Sequence, residues 1–443
     1  FAGEVDDVAL YERILEPTEV AALSSVHPAR ALLSIPLERR TPEQQAQLAT
    51  LWSEENDPDY RELSKSLSRS TGELEALQKQ IPSVMVMEEM KKPREARVLL
   101  RGQYDHPGEV APATTPKALP PFPKGQPNNR LGLAKWIVSD NNPLTARVTV
   151  NRLWERFFGT GIVATTEDFG TQSQFPSHPE LLDWLATEFI RLKWDMKGLM
   201  KEIAMSATYQ QSSKITPVLE AADPQNRYLG RGARFRLPGE VIRDQALFQA
   251  SLLVEKIGGR SVRPYQPAGV WDELNVYGNL RNYKPDQGDG LYRRSLYTIW
   301  KRTAAPPNMT LFDVPSRETC RVRRARTDTP LQALALLNDE TYVEAARVLA
   351  QRVLRRGGET PKSRIEYAFK VVLSRKPSAQ ETAILSQGLA KRVAKFRRDP
   401  KATNQLIYFG RAPLDKTLPP AELAAYTVMA STLMNLDESV TKE

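Results

Sequence analysis

Residues 142–159, Asn-Pro-Leu-Thr-Ala-Arg-Val-Thr-Val-Asn-Arg-Leu-Trp-Glu-Arg-Phe-Phe-Gly, restrict the possible folds more than any other stretch of the chain. Asn142 suits a helix cap, Pro143 the first helical position and Gly159 a left-handed stop. Between them Leu144, Val148, Val150, Leu153, Trp154, Phe157 and Phe158 leave few polar sides, and a helix apolar on most sides is buried on most sides. Arg147, Asn151 and Glu155 nevertheless fall four apart, a polar stripe on a helix expected at the middle of one compact body. Buried polar groups need partners, so the stripe predicts a polar network supplied by distant loops.

The rest of the chain supplies ample core. At 443 residues with 41% hydrophobic and 26% charged residues it reads as an ordinary folded protein of two or three domains. No apolar run approaches the roughly 18 residues of a membrane span, and no signal peptide is visible. The first residues read as mid-strand, so the sequence is expected to be the C-terminal part of something longer. A surplus of 62 Lys+Arg over 53 Asp+Glu, net +9, favours acidic partners such as sulfated or carboxylated glycans, anionic surfaces or nucleic acid. The alternative is a solvated basic surface. Cys320 is the single cysteine, which excludes an internal disulfide and a Cys-x-x-Cys-His haem attachment within these residues. Three scattered histidines, His27, His106 and His178, argue against a zinc site, and no metal is expected.

Along the chain, residues 1–23 alternate apolar and polar and then turn helical. Residues 24–81 are expected to hold a helical-hairpin arm. Its second helix carries Tyr60, Leu63, Leu67, Ser70, Leu74, Leu77 and Ile81 at alternating spacings of three and four, a heptad seam. That seam suits a protein partner or an internal antiparallel pair. Residues 82–128, rich in proline, read as an extended strap with a strand at 96–101. The main domain is expected over 129–443, with helices at 129–139, 143–158, 178–193, 196–210, 238–256, 330–337, 339–356, 361–373 and 378–398, and an amphipathic one at 420–435. A capping box is expected at Ser177-His178-Pro179-Glu180 and another at Ser378-Ala379-Gln380-Glu381. A strand is expected at 295–301. The fold class is therefore mainly α, an irregular multi-helix domain with a few short strands, the hairpin (coiled-coil) arm and an N-terminal strand.

Several ordered phrases resemble one family: NRLGLAKWIV, NPLTARVTVNRLWERFFGTGIV, EDFGTQSQFPSHPELLDWLA, LPGEVIRDQAL, YRRSLYTIWKR, FDVPSRETCRVRRARTDTPLQALALLN and LMNLDE. The chain is similar over about residues 82–443 to the planctomycete cytochrome-C-associated PSD domain family, whose function has not been defined. The opening Phe-x-Gly-x-Val-Asp-Asp-Val-x-Leu-Tyr resembles the last strand of laminin-G/concanavalin-like lectin sandwiches. The resemblance implies an upstream domain with c-type haem, export to the periplasm or cell surface, and an association with polysaccharide. It supplies no catalytic residues, and no cofactor is expected within this chain.

Three constellations carry possible chemistry. Glu167, Asp168 and His178, near Arg147, Asn151 and Arg152, can serve as acid and base. Equally, Arg147 and Arg152 can neutralise Asp168 while His178 sits in a helix start. Arg317, Arg321, Arg323, Arg324 and Arg326 around Cys320 match carboxylate, sulfate or phosphate oxygens, or cross-link loops by pairing with Glu240, Asp244 and Asp272. Cys320 itself is either activated by these arginines or simply buried. Tyr265, Trp271, Tyr277, Tyr283 and Tyr292 can stack on sugars or anchor a loop cover. Glycosidase chemistry would need two opposed carboxylates, for which Glu240, Asp244, Asp272 and Glu273 offer no spacing.

The preferred expectation is an extracytoplasmic structural or binding module for anionic polysaccharide inside a larger surface or periplasmic protein, contacting that protein's other domains. The anion-binding residues expected are Arg147, Arg152, Arg317, Arg321, Arg323, Arg324, Trp271 and Tyr277. The alternatives are a glycan-active enzyme, hydrolytic or haem-linked, and a nucleic-acid binder. A pocket with two or more desolvated carboxylates or a carboxylate–histidine pair favours the enzyme, and a long open groove lined by arginines and aromatics favours binding.

Overall fold

A computed structural model describes residues 10–17, 19–20, 29–271, 283–301 and 303–442. Two units divide the chain, Phe1–Val110 and Ala111–Glu443. The lectin-like strand expected at the start lies almost wholly outside the described residues.

Counting helices of eight residues or more, the first unit contains α1 (Pro42–Asn56) and α2 (Pro58–Gln80). Thr41 and Gln44 form a reciprocal capping box at the start of α1. Asp57 is both the last residue after α1 and the cap of α2, its Oδ1 accepting from the Asp59 and Tyr60 N–H groups at 3.0 and 3.1 Å. One residue, Asp57, separates the two helices. Tyr60 is half-buried there, but Leu63 and Leu67 are each 70% exposed, so the seam of α2 is not covered by α1 as an internal pair would require. β1 (Arg97–Leu99) and β2 (Pro107–Val110) close a small antiparallel hairpin, turning through Gly102 at φ 74°.

The second unit holds α3 (Arg130–Ile137), α4 (Thr145–Phe158), α5 (Pro179–Arg191), α6 (Met196–Met205), α7 (Gly239–Gln249), α8 (Pro330–Asn338), α9 (Glu340–Arg356), α10 (Pro361–Leu373), α11 (Ala379–Arg398), α12 (Pro400–Ile407) and α13 (Pro420–Met434). β3 (Phe235–Arg236) pairs antiparallel with β4 (Thr441–Lys442) and ties the C-terminal residues to the lead-in of α7. The architecture is mainly α with short strands, as the patterning implies.

Among the described residues two main hydrophobic cores and a small third cluster around Trp271 and Ala304 are present where one body was expected. The larger is built on α9 against α13, with α7 and α10 to α12 around them. Ala345, Ala346 and Ala350 face a helix that buries Ala424, Ala425 and Ala430, all at 1% exposure or less. Methyl-sized side chains let two backbones approach closely, which is why the pair sits at the centre. The 420–435 helix is therefore not amphipathic: α13 buries nearly every side. The smaller core is α4 with α5 and α6, where Trp154 stacks on Phe158 at 4.1 Å between centroids. The helix at 142–159 is thus the centre of the lesser core, not of the whole unit.

Other departures have local causes. The helix expected to 256 stops at Gln249, because Ser251 turns left-handed at φ 61° and the Leu252 N–H donates back to the Leu247 carbonyl. The 196–210 helix breaks at Ser206, whose hydroxyl caps a separate turn at Ala207–Gln210. The 295–301 strand is a 3-10 turn, Ser295–Tyr297, with isolated bridges beyond it. His178, not Ser177, occupies the cap of α5, and its side chain makes no capping bond. Ser378 and Glu381 do form their capping box.

Candidate functional site: an arginine-walled cavity beside the second core

The polar stripe of α4 divides by depth. Asn142 Oδ1 accepts from the Leu144 and Thr145 N–H groups at 3.0 and 3.3 Å, and Gly159 adopts φ 80° to end the helix. Asn151 has no solvent exposure and binds one residue twice: its Nδ2 donates to the Val163 carbonyl at 3.0 Å, and the Val163 N–H donates to its Oδ1 at 2.9 Å. This amide pair fixes residues 161–163 against the helix. Gly161 is needed there, since an added Cβ would lie 2.6 Å from the Val163 carbonyl and 2.7 Å from Asn151 Nδ2. Arg147 is more open; its Nε donates to Asp183 Oδ1 at 2.6 Å and its Nη1 to the Pro143 carbonyl at 2.7 Å. That guanidinium holds the Asp183 carboxyl below its usual range.

The residues singled out from sequence are dispersed. Asp168 Oδ1 accepts from the Gly170 N–H at 2.7 Å, a turn contact, while Glu167 is exposed. The His178 Nδ1 lies 3.0 Å from the Ser177 hydroxyl. Among the described residues no hydrogen bond or ion pair joins Glu167, Asp168 and His178. Arg147 pairs with Asp183 rather than Asp168, and Arg152 is exposed. Trp271 is 4% exposed, with Lys301 over its ring at 3.8 Å and Tyr283 against it. Tyr277, Asp272 and Glu273 lie outside the described residues. Arg317 stacks on Trp300 at 4.4 Å, and Arg321 and Cys320 are exposed. Arg324 grips both oxygens of Glu240, at 3.0 and 2.8 Å, the loop cross-link its sequence setting allowed.

The loop fixed by Asn151 forms one wall of a cavity of about 670 Å³. A second wall is the 224–235 segment and a third is Arg323 with Arg326; Trp154, Phe158, Phe175 and Phe235 supply aromatic lining. Among the described residues five arginines line it, Arg227, Arg231, Arg234, Arg323 and Arg326, and no acidic residue does. Arg231 is buried and donates to the Asp223 and Pro224 carbonyls, both at 2.9 Å. Arg234 pairs with Asp437. Arg326 donates to the Gly159 carbonyl at 2.8 Å and lies over the Phe235 ring at 4.5 Å. Lost hydration pushes the Arg326 guanidinium down; Glu155 opposes this, and the nearby charges of Arg156 and Arg323 add to it. Arg323 was expected from sequence, whereas Arg227, Arg231 and Arg234 were not. Four arginines within residues 227–236 were the available signal.

The fold and this cavity define a mainly helical domain with a positively charged recess and an aromatic lining. Residues 129–389 match the model of PSD1, described as a protein of unknown function (DUF1553), and the chain belongs to that family. Comparison with curated proteins and with solved structures gives no match. Among the described residues, no helix is long and apolar enough to cross a membrane.

Proposed function

We propose that this protein is a binding module of a larger surface or periplasmic protein, and that its cavity holds an anionic unit of a polysaccharide. One observation carries the reading: among the described residues, five arginines and four aromatic rings line a single recess and no carboxylate does. Guanidinium forks match the paired oxygens of carboxylates and sulfate esters, and aromatic faces suit the apolar faces of sugar rings. A volume of about 670 Å³ is within the range of small-ligand sites, roughly 300–1,000 Å³. Hydrolysis of a glycosidic bond calls for two carboxyl groups flanking it, so the lining favours binding over catalysis. The extracytoplasmic setting rests on the sequence resemblance described above.

A glycan array carrying neutral, carboxylated and sulfated oligosaccharides tests the reading. Retention on acidic members and not on their neutral counterparts is the expected result. Retention on none of the acidic glycans would defeat it. Equal binding to any duplex or single-stranded nucleic acid, collapsing steeply with salt, would replace it with the nucleic-acid alternative.

A further inference from the structure

The five arginines are not equivalent. Arg231, Arg234 and Arg326 have guanidinium protons committed to protein acceptors: two carbonyls, Asp437 and the Gly159 carbonyl respectively. Arg227 and Arg323 are exposed, and among the described residues neither guanidinium has a hydrogen-bonding or ion-pair partner. Both nevertheless leave an anchored backbone. The Arg227 N–H donates to Asp223 Oδ1 at 2.8 Å, and Arg323 precedes Arg324, whose two-point grip on Glu240 holds that segment. The two open forks thus belong to separate walls of one cavity, far apart in sequence. Phe175, 77% exposed and also on the lining, adds an open ring for a sugar face.

Resting on the cavity reading above, we infer that the ligand unit carries two anionic groups, one held by Arg227 and the other by Arg323, so that the site selects doubly over singly charged sugars. One fork is matched by one carboxylate or sulfate. Two forks on separate segments are matched by two such groups on one rigid scaffold.

The test titrates the full chain with a disulfated disaccharide and with its monosulfated counterpart. Variants are Arg227→Ala, Arg323→Ala, the double variant and, as a control outside the lining, the exposed Arg398→Ala. Wild type is expected to prefer the disulfated sugar by about tenfold, and each single variant to lose about that factor. The double variant should show no preference, and Arg398→Ala should behave as wild type. Because both side chains are exposed, melting temperatures should stay at the wild-type value, separating lost recognition from lost folding. Equal affinity of wild type for the two sugars, or unchanged disulfated binding in both single variants, overturns the two-group clamp while leaving acidic-glycan binding intact. Failure of both disaccharides and of every acidic polysaccharide to bind overturns the binding reading itself.

Discussion

Two polar networks in the second unit use similar residues to opposite ends. On α9, Glu344 and Arg347 are each 1% exposed and face residues 409–413. Glu344 Oε1 accepts from the Tyr265 and Tyr292 hydroxyls at 3.3 and 3.2 Å and from the Arg411 and Ala412 N–H groups. Arg347 donates to the Phe409 and Ala412 carbonyls at 3.0 and 2.6 Å. Gly410 passes so close, at φ 84°, that a Cβ would collide with the Glu344 carboxylate. Burial and the Glu344 charge push the Tyr265 hydroxyl up to about 12, so it stays a donor. Each charge there is answered by the fold. Beside α4 the arginines are only partly answered, and two guanidiniums remain open to a cavity. Charge consumed internally marks structure, and the proposed binding rests on the two guanidiniums left open.

The comparison is sharpest where a deep partner is removed. Glu344→Ala should destabilise the unit by about 3–5 kcal/mol, the range for breaking a buried charged network, read by chemical denaturation. A loss under about 1 kcal/mol would mean that water replaces the carboxylate and that the α9 network is not closed. Asn151→Ala comes next, at about 1–3 kcal/mol, because the Val163 N–H and carbonyl lose their partners together. It should also weaken acidic-glycan binding, since the freed loop is a cavity wall, whereas Glu344→Gln should alter stability more than binding. Gly159→Ala should cost about 1 kcal/mol or more: the left-handed backbone disfavours a side chain, and the new Cβ would come 2.8 Å from Phe235.

The smallest effect concerns Arg147. Its ion pair with Asp183 is substantially solvent-exposed, so Arg147→Ala should cost no more than about 1 kcal/mol at neutral pH. The sign with pH follows from Asp183, whose folded-state pKa is depressed by Arg147. The pair's contribution is present above the ordinary value of 3.8 and is lost as pH falls through the lower folded value. Denaturation curves for wild type and Arg147→Ala should therefore converge in acid. Divergence there would show that the arginine acts through packing and not through charge.

Much of this was legible in the chain. Helix positions followed from apolar spacing and from caps at Thr329 and Ser378, because those signals are local; α4 instead starts at Thr145, with Leu144 and not Asn142 at its cap and Pro143 outside the helix. The bidentate role of Asn151 was anticipated in kind, a buried polar group requiring a loop partner, though Val163 could not be named. Residues 340–356 read only as a helix, and nothing in them reported the burial of Glu344 and Arg347, whose partners arrive from residues 265, 292 and 409–412. The cavity was hidden for the same reason: Arg227 and Arg323 become neighbours of one recess only through tertiary packing, and nothing in their spacing reports it. Trp271 shows the reverse error. An aromatic in a loop-rich stretch suggests an open stacking face, yet Lys301 and Tyr283 cover its ring.

The most direct measurement is a crystal structure of the full chain grown with the disulfated disaccharide. The account predicts the sugar in the recess between residues 159–164 and 224–235, one sulfate on Arg227 and the other on Arg323, with the Glu344 network unchanged. A recess left unoccupied at saturating ligand, or the sugar lodged on another surface, would contradict it.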